Sequence, residues 1–164
     1  MHFQPLTLNH KPQIENYFAN NYMNSEATFT YHYLWRHAGK TVFAEVLDTL
    51  VFITNYWGVP FTYPPFESAN IEQPLALIKE YFNSHGHPLY MRAVTNDSKE
   101  TILALYPNLY AQPARDSYDY LYDANDLRTL GGRKFMQKRN HLNAFLRDYL
   151  HYMCANFDYR KLRK

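Results

Sequence analysis

The chain has 164 residues and a single cysteine, Cys154, so one core of ordinary size can form without disulfide or metal staples. With 46% hydrophobic, 18% aromatic and 20% charged residues it lies far from the composition of disordered chains. The net charge of +2 conceals a split: residues 1–127 carry 7 Lys and Arg against 13 Asp and Glu, a balance of −6, and residues 128–164 carry 10 against 2, a balance of +8. An acidic body with a basic end directs attention to a polyanionic partner for that end, the plainer alternative being a solvated basic helix.

Met1 to Leu8 has no basic segment followed by an apolar run, which predicts no signal peptide and a cytoplasmic location. Phe3–Leu6 is a short strand candidate. Asn9 is placed to cap a helix from His10 to Tyr22, and a second helix is expected from Ser25 to His37, ended by Gly39. The period then changes to two over Thr41–Leu47 and Leu50–Thr54, with Asp48 and Thr49 as a tight turn and Phe61–Tyr63 as a third short strand. The charge-free run Thr49–Phe66 contains Asn55, Gly58, Pro60, Pro64 and Pro65, so it reads as a strand and a Pro-rich connection, not as a membrane span.

Ile71–Ser84 has helical period, with Leu75, Ile78 and Phe82 on one side. Leu89–Val94 is expected as a strand, Ser98–Tyr106 as a helix stopped by Pro107, and Leu109–Gln112 and Tyr118–Tyr122 as two further strands. A short helix then runs from Asp123 to Leu130. After Gly131-Gly132 a long helix is expected from Arg133 to Met153, striped by Phe135, Leu142, Leu146, Tyr149 and Met153. Asn156–Tyr159 reads as the start of another strand. This element order resembles the acetyltransferase fold known as GNAT, an α+β fold with a mixed central sheet flanked by helices.

The most chemically loaded segment is Gly131-Gly132-Arg133-Lys134-Phe135-Met136-Gln137-Lys138-Arg139-Asn140-His141, in a stretch with no carboxylate between Asp126 and Asp148. On a helix Lys134, Lys138 and His141 share one face. Cations in a first turn oppose the helix dipole at roughly 0.3–1 kcal/mol each, and a bound anion reverses that sign. Paired glycines and free amides form a general phosphate-binding arrangement. The spacing is neither that of a P-loop nor of a dinucleotide-binding turn. Three readings stay open: a plain turn before a soluble helix, a site for a phosphate-bearing cofactor or tRNA, and a contact to an acidic partner domain.

Other candidates are weaker. The eight histidines have no metal-ligand spacing and read as surface residues, and Cys154 reads as a buried inert thiol. Asp116, Asp119, Asp123 and Asp126 are caps or general bases. The alternation Tyr118, Tyr120, Tyr122 places three rings on one strand face, as core or as the lining of an acyl or aminoacyl pocket. No catalytic residue can be assigned.

The start Phe3-x-Pro5-Leu6, Thr28-Phe29 with Trp35-Arg36, Phe61-x-Tyr63-Pro64-Pro65, Asp116-x-x-Asp119-Tyr120-x-Tyr122, and above all Lys138-Arg139-Asn140-His141-Leu142-Asn143-x-Phe145 resemble a bacterial family related to the C-terminal domain of phosphatidylglycerol lysyltransferases. The resemblance implies two GNAT-like domains in tandem: residues 1–122 as the first, 123–154 as basic linker helices, and 155–164 as the first strand of a second. It implies an acyl- or aminoacyl-transferase relationship, with acyl-CoA or aminoacyl-tRNA as donor and Trp35, Arg36, Asp116, Asp119, Tyr120 and Tyr122 as pocket candidates. The implied partners are a second GNAT-like half or a second copy, and tRNA, with peripheral membrane contact left open. Family members are nearly twice as long and their reaction is expected mainly in the C-terminal half, so this chain is expected to be catalytically incomplete alone. The fold's pyrophosphate motif, Arg/Gln-x-x-Gly-x-Gly/Ala, has no match, which argues against acyl-CoA binding here. The reading from a different class is a non-enzymatic RNA-, tRNA- or partner-binding module that uses residues 128–164.

Overall fold

The most β-prone run of the sequence becomes an inner strand of the sheet. Thr49–Tyr56 forms strand β3, and its first six residues are all buried. β-Branched and aromatic side chains suit a pleated surface, but burial on both faces requires cover on both. In the computed structural model, which describes residues 1–18, 24–66 and 70–149, β3 pairs with β2 (Val42–Val46) from Val42↔Ile53 to Val46↔Thr49. On its other side it pairs with β4 (Val59–Thr62) from Ile53↔Thr62 to Tyr56↔Val59. β1 (Gln4–Pro5) adds to β2, giving an antiparallel sheet of order β1-β2-β3-β4.

Both hairpins close with two residues at positive φ, Leu47-Asp48 (47° and 59°) and Trp57-Gly58 (51° and 83°). This twist matches that of the strands. The turn expected at Asp48-Thr49 is therefore displaced by one residue. Thr49 belongs to the strand, is fully buried, and its hydroxyl donates to the Val46 carbonyl at 2.5 Å.

Alternation along the strands divides the core. Phe43, Leu50, Phe52 and Phe61 face a cluster that includes Ile14 of α1 (Lys11–Tyr17) and Phe29 of α2 (Phe29–Trp35). Ala44, Val46, Val51 and Ile53 face Ile78 and Phe82 of α3 (Glu72–Ser84). α4 (Asn96–Leu105) is capped by Thr95 and buries Ile102. Two compact units are present, Met1–Asp119 and Tyr120–Lys164. The second holds α5 (Ala124–Thr129) and α6 (Met136–Asp148).

Several sequence expectations change. α2 starts at Phe29, because Thr28 and not Ser25 caps it, accepting the Tyr31 amide at 3.2 Å. The first helix follows a 3₁₀ turn at Leu8–His10 that starts at Thr7, so Asn9 lies inside the turn and is not the cap. The expected mixed sheet is an antiparallel one. Leu89–Val94 contributes only an isolated parallel bridge, Thr62↔Met91, since Ala93 turns the backbone to φ 54°. Leu109–Gln112 and Tyr118–Tyr122 form no strands among the described residues, and Tyr118, Tyr120 and Tyr122 are 59%, 87% and 58% exposed, not core. The long helix expected from Arg133 opens with a 3₁₀ turn at Arg133–Phe135 and is α-helical over α6. Met153, Cys154 and the strand expected at Asn156–Tyr159 lie outside the described residues.

One histidine overturns its expected surface placement. His32 of α2 is 1% exposed, with its ring parallel to Phe52 at 3.7 Å and edge-on to Tyr63 at 5.0 Å. Among the described residues its Nε2 has no hydrogen-bond partner, and the interaction opposing neutralisation is a hydrogen bond to the Glu26 backbone. Desolvation lowers its pKa from 6.5 to about 3. Between these values the unfolded chain binds a proton that the folded chain excludes, so this group makes stability fall as pH is lowered, by up to about 1.4 kcal/mol per pH unit. Chemical denaturation of wild type and His32→Phe at pH 7, 6 and 5 is expected to show wild type losing stability relative to the variant as pH drops. A pH-independent difference contradicts a neutral buried His32.

Candidate anion-binding site

The basic segment is built around a turn that its own cations brace. Asp123 caps α5 by accepting the Asp126 amide at 2.9 Å. Leu130 then takes the left-handed conformation (φ 49°, ψ 35°), and Gly132 follows at φ 79°, where a Cβ would be strained. From one helical turn into α6, Arg139 sends a single guanidinium nitrogen back to the Leu130 carbonyl and to the Gly132 carbonyl, the latter at 2.7 Å. Two main-chain carbonyls, one at the C-cap of α5 and one just before the next helical turn, thus gain a charged donor. Lys134 pairs with Asp126 at 2.5 Å and lies 5.0 Å from the centre of the Phe135 ring.

The seven residues singled out from the sequence therefore separate by role. Gly131 and Gly132 make the turn, Arg139 closes it, and Lys134 is partly neutralised. Arg133, Lys138 and His141 are exposed and make no ion pair among the described residues. Those three remain available to an anion.

The pocket candidates do not converge. Asp119 accepts the Ser25 amide at 2.8 Å and so ties the segment before α2 to the end of the first unit. Asp116 sits in an exposed 3₁₀ turn, Arg115–Ser117. Arg36 stacks over Tyr33, its guanidinium carbon 3.6 Å from the ring centre, and donates to the Tyr33 carbonyl; Trp35 beside it is 52% exposed. Tyr120 and Tyr122 belong to the second unit and stack on each other at 6.4 Å.

Burial raises the hydroxyl of Tyr17 to about 12, helped by Glu45, and raises those of Tyr56 and Tyr63 as well. At neutral pH these phenols are proton donors, not bases. Among the described residues no three His, Cys, Asp or Glu lie close enough to hold a metal ion. A shallow hollow of about 570 Å³ is lined by Ala76, Lys79, Glu80, Asn83, Ser84 and Tyr106, and contains none of the sequence candidates. The feature missed from sequence is buried His32. Its spacing from Phe29 places both on one helix face, which was the available signal.

A mixed α+β domain with a basic helical segment is the class defined by this geometry. The chain belongs to the family described as phosphatidylglycerol lysyltransferase, C-terminal, whose model matches residues 20–159. It is also similar to a conserved protein of unknown function from Bacteroides thetaiotaomicron VPI-5482, with 27% sequence identity and a TM-score of 0.86. That match covers 92% of this chain and 52% of the other, so the chain spans about half the length of its structural relative. Comparison with curated proteins gives no match. Among the described residues no helix is long and apolar enough to cross a membrane.

The division of roles is measurable. Arg139→Ala is expected to cost about 1.5–3 kcal/mol in urea unfolding of the segment, the range for hydrogen bonds to a charged donor. Lys138→Ala is expected to change it by less than about 0.5 kcal/mol, as for exposed positions. Equal effects contradict the bracing role of Arg139.

Proposed function

We propose that this chain is one GNAT-like half of an acyl- or aminoacyl-transferase-related protein, with Arg133, Lys138 and His141 receiving phosphates of the donor. Family membership is the observation that carries the transferase reading. In this reading residues 1–122 are the first GNAT-like domain, 123–154 the basic linker and 155–164 the opening of a second. The match to 52% of the structural relative supports a reaction completed by a further domain or a second copy. Aminoacyl-tRNA is the donor that fits best, because the pyrophosphate motif expected for acyl-CoA is absent and a polyanion suits a balance of +8 over residues 128–164. Such a donor places the protein in the cytoplasm.

Arg133, Lys138 and His141 lie within one short stretch, and each can donate to a phosphate oxygen without first breaking an ion pair among the described residues. Titration of tRNA at several salt concentrations tests this. Wild type is expected to bind with an affinity that falls steeply as salt rises, and Arg133→Ala with Lys138→Ala is expected to weaken binding and reduce the slope of log affinity against log salt by about 2. Binding with no salt dependence, or a double variant equal to wild type, contradicts the assignment. Binding of deacylated and aminoacylated tRNA with equal affinity favours the non-enzymatic RNA-binding module over the transferase half.

A further inference from the structure

Helix α6 carries an apolar stripe that is not buried. Leu142 and Leu146, with Tyr149 at the C-cap, follow one another by four and three residues and so share a face, yet they are 47%, 37% and 61% exposed, and no residue of α6 is buried. Phe145 lies on the same face and stacks with Tyr149 at 4.9 Å. Lys138 precedes Leu142 by one turn on that face and His141 flanks it, in a run with no carboxylate from residue 127 to residue 147. A surface helix ordinarily turns such a stripe toward a partner, and the i, i+4, i+7 spacing is the one by which amphipathic helices seat in grooves.

The first unit has a groove of similar length and opposite charge. Two shallow hollows, of about 570 and 400 Å³, follow α3 from Glu72 to Ser84 and are bounded by Asp97, Thr101 and Leu105 of α4 and by Tyr106 just after it. Ile71, Leu105 and Tyr106 are half-buried there and give the groove its apolar surface. Its carboxylates, Glu72, Glu80 and Asp97, are exposed and make no ion pair among the described residues. Its one cation, Lys79, is held 4.5 Å from the centre of the Tyr106 ring. At 1.5 Å per residue this part of α3 extends roughly 18 Å, and the 13 residues of α6 extend roughly 20 Å.

We propose that two copies of this chain associate reciprocally, α6 of each seating its apolar stripe in the α3–α4 groove of the other. The charges favour a second copy as the occupant, because one sequence supplies both signs, −6 over residues 1–127 and +8 over residues 128–164. Each copy offers one helix and one groove, so a two-fold pair satisfies both at once and closes the assembly. The chain covers 52% of its structural relative, so two copies together match that protein's length. Pairing also accounts for a feature that phosphate binding leaves unexplained, since contacts to phosphates alone would keep Leu142, Leu146 and Tyr149 in water.

Sedimentation velocity of the full chain, without nucleic acid, tests the pairing. At low salt the protein is expected to shift from monomer to dimer between about one and a few hundred micromolar, and roughly 0.5 M salt is expected to return it toward monomer. Leu146→Asp on the helix, and Glu80→Lys with Asp97→Lys in the groove, are each expected to weaken pairing about tenfold or more, with circular dichroism unchanged because these side chains do not contribute to the core. An equimolar mixture of the helix variant and the groove variant is expected to recover part of the dimer, since one copy keeps a sound groove and the other a sound helix. Arg133→Ala, in the turn before α6, is expected to lower tRNA affinity and leave the dimer intact, so failure of the pairing and failure of the tRNA reading are told apart. A monomer throughout the concentration range, a dimer indifferent to salt or to either variant, or a mixture that stays as monomeric as its components overturns the proposal.

Discussion

Two-sided burial of β3 is the constraint on which the first unit depends. Most antiparallel sheets leave one face wet, but Leu50 and Phe52 on one side and Val51 and Ile53 on the other are all out of water. The helices are recruited to satisfy that demand: α1 and α2 cover the first face and α3 the second. At the centre of the first face the core accepts an imidazole, His32, stacked flat on Phe52. A ring with an unsatisfied nitrogen is tolerated there only while it is neutral, since a charge in that environment would be far more expensive than the missing hydrogen bond.

With the interior committed in this way, the available charge is pushed to the ends of elements, and there local geometry decides which cations are free. In the segment after α5, Arg139 is consumed by main-chain carbonyls and Lys134 by Asp126, leaving Arg133, Lys138 and His141 exposed. At the far end of β3, Arg36 is held by the ring and carbonyl of Tyr33, while Lys40 and Arg92 make no ion pair among the described residues. The same rule operates at both places. A cation acts as structure when the fold leaves carbonyls or carboxylates within its reach, and faces solvent when it does not.

The sequence made the β2–β3 hairpin, α3, α4 and the transferase-family relationship legible, because each rests on a local signal: alternation in Thr41–Leu47 and Leu50–Thr54, helical period in Leu75, Ile78 and Phe82, a stop at Pro107, and a block of consecutive residues at Lys138–Phe145; the Trp57-Gly58 turn lies inside a run that reads as a Pro-rich connection. The errors share a cause. Leu89–Val94 and Tyr118–Tyr122 have strand composition, but a strand requires a partner, and pairing is a tertiary fact that alternation cannot supply. Tyrosine misleads in particular, since its ring satisfies a core pattern while its hydroxyl tolerates full exposure, as at Tyr120. His32 departs from expectation for the converse reason: residue type assigns an imidazole to the surface, although its spacing from Phe29 puts it on the buried face of α2. The competition for Arg139 was also invisible, because it depends on carbonyls seven and nine residues away in the chain being turned toward it.

The claim that a neutral imidazole lies at the centre of the doubly buried strand is tested most directly by nitrogen-15 and proton NMR of the His32 ring between pH 8 and 5. No titration of His32 is expected across that range, and the ring should be a single neutral tautomer with its proton on Nδ1. A His32 midpoint near 6.5, the ordinary value for a solvated imidazole, would contradict it.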